Sequence, residues 1–239
     1  MSYSKAFFDL QWRFADRVAR LADLSLDQAL LDYTNLYVRF GLGRAFDAGH
    51  PVWREYLAGA RDAADGGEWT HRFFLSRPRE VEVPGLVARF GCFAYAKLGD
   101  GSLRLHFENI EPSGCSPLAP ERLPARRAEQ RALFRHVKDT EPGAPRVMGV
   151  SWLYNLEAYR RCFPASYLAT ARIAGPRFRN MPLWGQFLDR HGEVRPSMSV
   201  PFLERLSRQA TMDDIAQCFP LQPLAVEAPA TEFYAFHGL

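Results

Sequence analysis

The chain has 239 residues, 47% hydrophobic and 13% aromatic, and a formal net charge of +3. That content excludes a disordered chain and supplies a core large enough to do without a disulfide or metal staple. Every cation except Lys5, Lys97 and Lys138 is arginine, but acids interleave, as in Asp16-Arg17, Arg54-Glu55 and Asp189-Arg190, which excludes a phosphate-tracking stripe for nucleic acid.

Phe7, Leu10, Phe14, Val18 and Leu21 recur at helical spacing, with Asp9, Arg13, Asp16, Arg17 and Arg20 opposite. This predicts an amphipathic first helix with a mixed, solvated polar face. The opening segment has no uninterrupted apolar core and no small-residue cleavage site, and no run is long enough to span a membrane. A soluble cytoplasmic protein is expected. Ser25 with Gln28 makes a capping box for a second helix, whose apolar face runs from Leu26 to Phe40 and stops at Gly41. Pro51 suits the first turn of a third helix, through Trp53, Tyr56, Leu57 and Ala60. Asp65-Gly66-Gly67 ends it, and a short fourth helix follows over 68–76.

The pattern changes near 77–84. Residues 86–98 alternate loosely, Gly99-Asp100-Gly101 signals a turn, and Leu103, Leu105 and Phe107 alternate with Arg104, His106 and Glu108. This predicts a hairpin with one buried face. After a loop punctuated by Pro112, Pro117 and Pro120, Pro124 opens an Arg-rich helix that ends near Thr140. Further strands are predicted over 147–150 and 167–173, separated by a short helix that ends near Phe163-Pro164. A hairpin over 183–195, helices over 202–208 and 212–218 (the second capped by Thr211 with Asp214) and a strand over 231–237 complete the order. Helices followed by mixed strands and helices predict an α+β fold, a helical N-terminal third packed with a mainly antiparallel sheet. The organisation expected is one domain, 1–239, with a helical subregion 1–80 and a mixed subregion 84–239.

No catalytic or cofactor motif is complete. Cys92, Cys115, Cys162 and Cys218 lack C-x-x-C spacing, and no two histidines form H-x-H or H-E-x-x-H, so no metal is expected. Gly41-Leu42-Gly43 follows a helix instead of a strand and lacks the third glycine of a dinucleotide turn. Gly149-Val150-Ser151-Trp152-Leu153 is half of a nucleophile elbow, with Leu153 where the second glycine is required. Ser151 therefore reads better as the cap of a following helix.

Two constellations remain. His106 and Glu108 share the polar side of one strand with Arg104, and a histidine beside a carboxylate serves as acid or base when the face lines a cleft. The other reading is a solvated sheet face. Arg172, mid-strand, would present a planar fork to a carboxylate or phosphate. Ser151, Tyr154, Asn155, Trp184 and Gln186 have the composition of a ligand pocket and equally of an aromatic core. The expected catalytic pair is His106 and Glu108. Ligand binding is assigned to Arg172, Ser151, Tyr154, Asn155, Trp184 and Gln186, and Trp152 is expected in the core with Trp184.

Leu103-Arg104-Leu105-His106-Phe107, Pro117-Leu118-Ala119-Pro120-Glu121, Ser151-Trp152-Leu153-Tyr154 and Phe163-Pro164-Ala165-Ser166 follow one another in this order. Over 103–173 they resemble the C-terminal domain attached to some bacterial GNAT-like N-acyltransferases. The resemblance implies an α+β fold and an acyl-transfer-related origin. The acetyl-CoA turn of the GNAT catalytic domain, [RQ]-x-x-G-x-[GA], is absent, so no catalytic residue carries over. The expectation is a soluble protein that binds a small anionic molecule, in acyl-transfer or biosynthetic chemistry, with the alternative of a non-enzymatic protein-protein interaction module. No cofactor is assigned; a homo-oligomer is allowed, and neither nucleic acid nor membrane is expected as a partner.

Overall fold

A computed structural model describes residues 3–77, 85–111, 116–141, 143, 145–174, 183–213 and 215–239. In chain order, α1 (Lys5–Ala22), α2 (Leu26–Tyr33), α3 (Leu36–Arg39), α4 (Pro51–Asp62) and α5 (Gly66–Leu75) precede β1 (Leu86–Phe90), β2 (Phe93–Lys97) and β3 (Leu103–Phe107). Next come α6 (Leu123–Thr140), β4 (Arg146–Ser151), α7 (Glu157–Arg160), α8 (Ala165–Ala169), β5 (Arg172–Ile173), α9 (Pro196–Arg208), β6 (Leu224–Pro229) and α10 (Ala230–His237). The fold is α+β. Two compact units emerge, Met1–Glu82 with Gly175–Gln222, and Val83–Ala174 with Pro223–Leu239.

In the first unit, α1 buries Phe7, Leu10, Phe14 and Val18 of the predicted stripe and Phe8 besides, while Leu21 is only half-buried. Ser25 caps the helix as predicted, its Oγ accepting from the Gln28 amide at 3.1 Å, but the Gln28 side chain donates to Asp32 at 2.7 Å, so the box is half made. The long second helix does not form. It breaks at Thr34-Asn35, where the buried Thr34 hydroxyl bonds back to the Leu30 carbonyl. Gln11, fully buried on α1, accepts from the Asn35 amide at 3.0 Å and so holds the start of α3. Gly41 has φ +77°, as its helix-stopping position requires. Pro51 opens α4 as predicted, and the Asp65 side chain accepts from the Glu68 amide to start α5.

The predicted hairpin over 183–195 reduces to a 3-10 turn at Trp184–Phe187 and a single antiparallel bridge between Leu188 and Val194. Asp189 closes its loop by accepting from the amides of His191 and Glu193, at 2.7 and 3.0 Å. Helix α9 starts at Pro196, earlier than expected, because it continues through Pro201. Only a 3-10 turn, Ile215–Cys218, occupies the predicted helix over 212–218; its Asp214 cap and Cys115 lie outside the described residues.

The second unit is a six-stranded sheet in the order β1-β2-β3-β4-β6-β5. All neighbours are antiparallel except β3 and β4, which are parallel. A parallel pair needs a crossover, and α6 supplies it. The β2–β3 hairpin turns at the predicted Gly99-Asp100-Gly101, whereas residues 86–98 fold as two strands around Gly91 and Cys92. Leu133, Phe134 and Val137 of α6 join Phe93, Tyr95, Leu103, Leu105, Val147 and Val226 in one core on one sheet face.

Two predicted strands are corrected. Residues 165–169 form α8, which places Tyr167 wholly in the core, and only Arg172 and Ile173 are extended. The tail is helical: α10 follows Pro229, and the strand lies just upstream as β6, paired with β4 along six residues. Residues 224–229 carry no alternation of polar and apolar side chains, so their pairing left no period-2 signal.

Candidate functional site

Strand register carries the first set of predicted residues to one side of the sheet. Leu103 and Leu105 face the α6 core, so Arg104 and His106 face away. Arg104 pairs with Met148, Met148 with Glu227, and Arg172 with Ala225, so Arg172 shares that face. It lies three strand spacings from His106, however, about 14 Å, too far for one small ligand to touch both. Arg172 instead meets Glu227 at 3.4 Å, while Arg146 meets the same carboxylate at 3.3 Å. Glu108 pairs with Arg89 at 2.8 Å and is largely exposed. The polar sheet face is thus laced by cross-strand ion pairs.

The second set is mostly structural in its bonding. Ser151 Oγ accepts from the Leu153 amide at 3.1 Å and caps the turn Trp152–Asn155. Asn155 is exposed and donates to the Trp152 carbonyl at 2.8 Å. Trp152 itself is only half-buried, so its placement in the core is corrected. Tyr154 is buried, with its hydroxyl 2.9 Å from that of Tyr167. The pair explains Gly149: a Cβ there would sit 2.1 Å from the Tyr154 hydroxyl and 2.6 Å from that of Tyr167. Glycine at this point of β4 serves close packing, not a nucleophile turn. Burial pushes the Tyr154, Tyr159 and Tyr167 hydroxyls far up, and they stay protonated.

In the first unit, Trp184 and Gln186 are buried. Gln186 accepts from the Leu221 amide at 2.9 Å and donates to the carbonyls of Leu183 and Leu221 at 3.0 and 3.2 Å. Both of its donors and one of its two acceptor positions thus tie two chain segments together.

Burial also decides the thiols and one histidine. Desolvation raises Cys92 and Cys218 and pushes Cys162 up to about 11, so the three are thiols at neutral pH. Among the described residues no group of His, Cys, Asp and Glu is arranged to hold a metal ion. Burial first, then Arg127 and Arg131, lowers His237 to about 4. Its ring stacks on Phe134 and its carbonyl accepts from Arg131 Nε at 3.1 Å. The folded pKa lies below the ordinary 6.5, so the neutral ring favours folding above pH 6.5, and that contribution is lost as pH falls towards 4. Because the ring is only partly buried, about 1–2 kcal/mol is expected in that window. Urea titrations at pH 7.5 and 4.5 should show a smaller pH dependence for His237→Phe than for the parent chain. An equal dependence in both would rule the histidine out as the cause.

A concave surface of the first unit lies between α1 and α9. One depression, of about 190 Å³, is lined by Ala6, Asp9, Leu10, Arg13, Val194, Ser199 and Leu203. A second, of about 250 Å³, is lined by Arg13, Asp16, Arg17, Arg20, Leu203, Leu206 and Ser207. They share Arg13 and Leu203 and so form one groove along α1. Its acids are neutralised: Asp9 pairs with Lys5 at 2.8 Å, and Asp16 pairs with Arg20. Arg17 donates to the Gln209 carbonyl and pairs with no acid among the described residues. Arg13 is exposed and has no partner among the described residues. The groove therefore offers two uncompensated guanidiniums, one helical turn apart, above an apolar floor. These arginines belong to the polar stripe expected to face solvent; the missed signal was the Leu203 and Leu206 spacing on α9, which needed α1 beside it to become a floor.

No family model matches the chain, and neither does any curated protein or solved structure.

Proposed function

We propose that this protein binds an anionic ligand in the groove between α1 and α9, with Arg13 as its principal contact. The observation that carries this is the unpartnered guanidinium at the point where both depressions meet. Arginine presents a planar donor fork suited to a carboxylate or phosphate, and its bonds to such groups are charge-assisted. Arg17 supplies a second positive charge, and Leu10, Leu203 and Leu206 supply apolar area for the rest of the ligand. Exposed Arg13 contributes nothing visible to packing, so its charge is free for recognition. The anionic ligand expected from the sequence is retained in this proposal, and its seat moves from Arg172 to Arg13. No acyl-transfer step is part of it.

Amide chemical shifts of the labelled protein, followed during titration with glutarate or phenyl phosphate at millimolar concentration, test the proposal. Perturbations confined to α1 and α9, and abolished by Arg13→Glu, are expected. Perturbations centred elsewhere, or unaffected by charge reversal at Arg13, would overturn it.

A further inference from the structure

We infer, building on the groove between α1 and α9 as the binding site, that its occupant is an acidic amphipathic segment of a partner protein. Three observations carry this. The first is length. The lining residues of α1 run from Ala6 to Arg20 on one face. At 1.5 Å per residue that face is about 21 Å long, the span of a helix of about four turns. The second is shape. Two shallow depressions of about 190 and 250 Å³ lie in line and share Leu203, in place of one deep cavity. Sites that enclose a small molecule are usually single concavities of about 300–1,000 Å³. In-line subsites suit successive apolar anchors of a docked helix at i, i+3 or i+4, and i+7.

The third observation is charge. Asp9 and Asp16 are already neutralised by Lys5 and Arg20, which leaves Arg13 and Arg17 to set the sign. Glutamates flanking the apolar anchors of the partner would meet both. A basic segment would meet two like charges, which is unfavourable. A second copy of this chain is a poor occupant on the same ground. Its long helix α6, outside the first unit, carries Arg126, Arg127, Arg131 and Arg135 and has no excess of acid to offer.

Fluorescence polarisation with a labelled 14-residue synthetic helix, leucines at helical spacing and glutamates between them, tests the inference. A matching peptide with lysine for every glutamate is the control. Binding of the acidic peptide about a hundredfold tighter than glutarate is expected, since the peptide adds several buried apolar anchors to the same charge contact. Arg13→Glu should weaken it at least about tenfold, and 0.5 M salt should weaken it as well. Leu203→Asp should do the same where circular dichroism shows the fold retained, and Arg13→Glu alone decides if it does not. An acidic peptide no tighter than glutarate would overturn the partner class and leave the anion site standing. Equal binding of the lysine peptide, or preferential capture of the protein by phosphatidylserine vesicles, would also overturn it. If neither glutarate nor the peptide engages α1 and α9, the site and the partner fall together.

Discussion

Trp184→Ala is expected to destabilise the first unit by about 3–5 kcal/mol, the loss typical of removing a large aromatic from a packed core. Trp184 is 1% exposed. Its ring lies 5.5 Å from Phe14, 5.1 Å from Phe219, 5.8 Å from Phe187 and 6.0 Å from Phe202, most of these edge-on. Phe14 belongs to α1 and Phe202 to α9, so the indole fills the space beneath the two helices that frame the groove. Deleting it leaves a cavity ringed by rigid aromatics that have little freedom to collapse inward. Trp184→Phe should recover much of the loss, because a smaller ring retains part of the edge-to-face packing. Trp152→Ala should cost clearly less, since that side chain is only half-buried. Denaturant midpoints of the three variants check the order. A Trp184→Ala loss below about 1 kcal/mol would show that this cluster does not hold α1 and α9 together.

Arg126→Met should destabilise the second unit by about 3 kcal/mol at pH 7.5, the order of effect of removing the buried cation from an ion-pair network and leaving Glu129 without its arginine. Arg126, on α6, is 3% exposed and reaches Glu111 at 2.6 Å, Glu129 at 2.8 Å and the sulfur of Cys92. Glu129 in turn accepts from the Cys92 amide at 3.1 Å, which ties α6 to the β1–β2 turn. Gly91 makes that approach possible. It has φ +59°, and a Cβ there would lie 2.1 Å from the Glu129 carboxyl. Burial already raises the Glu129 carboxyl, with the Cys92 amide and Arg126 pulling it down. Removing Arg126 takes away a lowering influence, so the folded-state pKa rises further above the unfolded value. A carboxyl shifted upward costs stability above its folded pKa and nothing below its unfolded pKa. The deficit of Arg126→Met should therefore shrink as the pH falls from 7.5 to 4. Methionine preserves most of the packing volume, so a deficit that is independent of pH would point to lost packing instead of stranded charge.

Local chemistry in the sequence carried the secondary structure wherever neighbours in the chain were enough to determine it. The α1 stripe, the Ser25 N-cap, the stop at Gly41, the start at Pro51 and the Gly99-Asp100-Gly101 turn each depend on side chains within a few residues of one another. Ser151 as a cap was legible for the same reason. Elements that depend on distant partners were not legible. Helix α2 breaks where Gln11, from another helix, offers an acceptor to Asn35. Strand β6 exists because β4 pairs with it, and its residues carry no alternation of their own. Tyr167 was read as strand because an aromatic favours both a pleated surface and a core. Its hydroxyl meeting Tyr154 across Gly149 is what places it on α8.

The same division runs through the candidate site. Residue types that suit a ligand are visible in the sequence, since arginine, histidine and aromatics are recognisable one at a time. Whether a charge is available depends on what lies opposite it. Arg172, the arginine singled out from its strand position, is matched by Glu227 from β6. Arg13 sits in an ordinary solvated stripe, and folding leaves it without an acid among the described residues and places Leu203 of α9 beside it. The sequence by itself determined the helices whose caps, stops and apolar stripes lie close together in the chain, α1, α4 and α6 above all, because capping and periodicity are short-range. Only the tertiary structure decided which cations are neutralised and where a concave surface lies, because both follow from pairing between residues far apart in the chain.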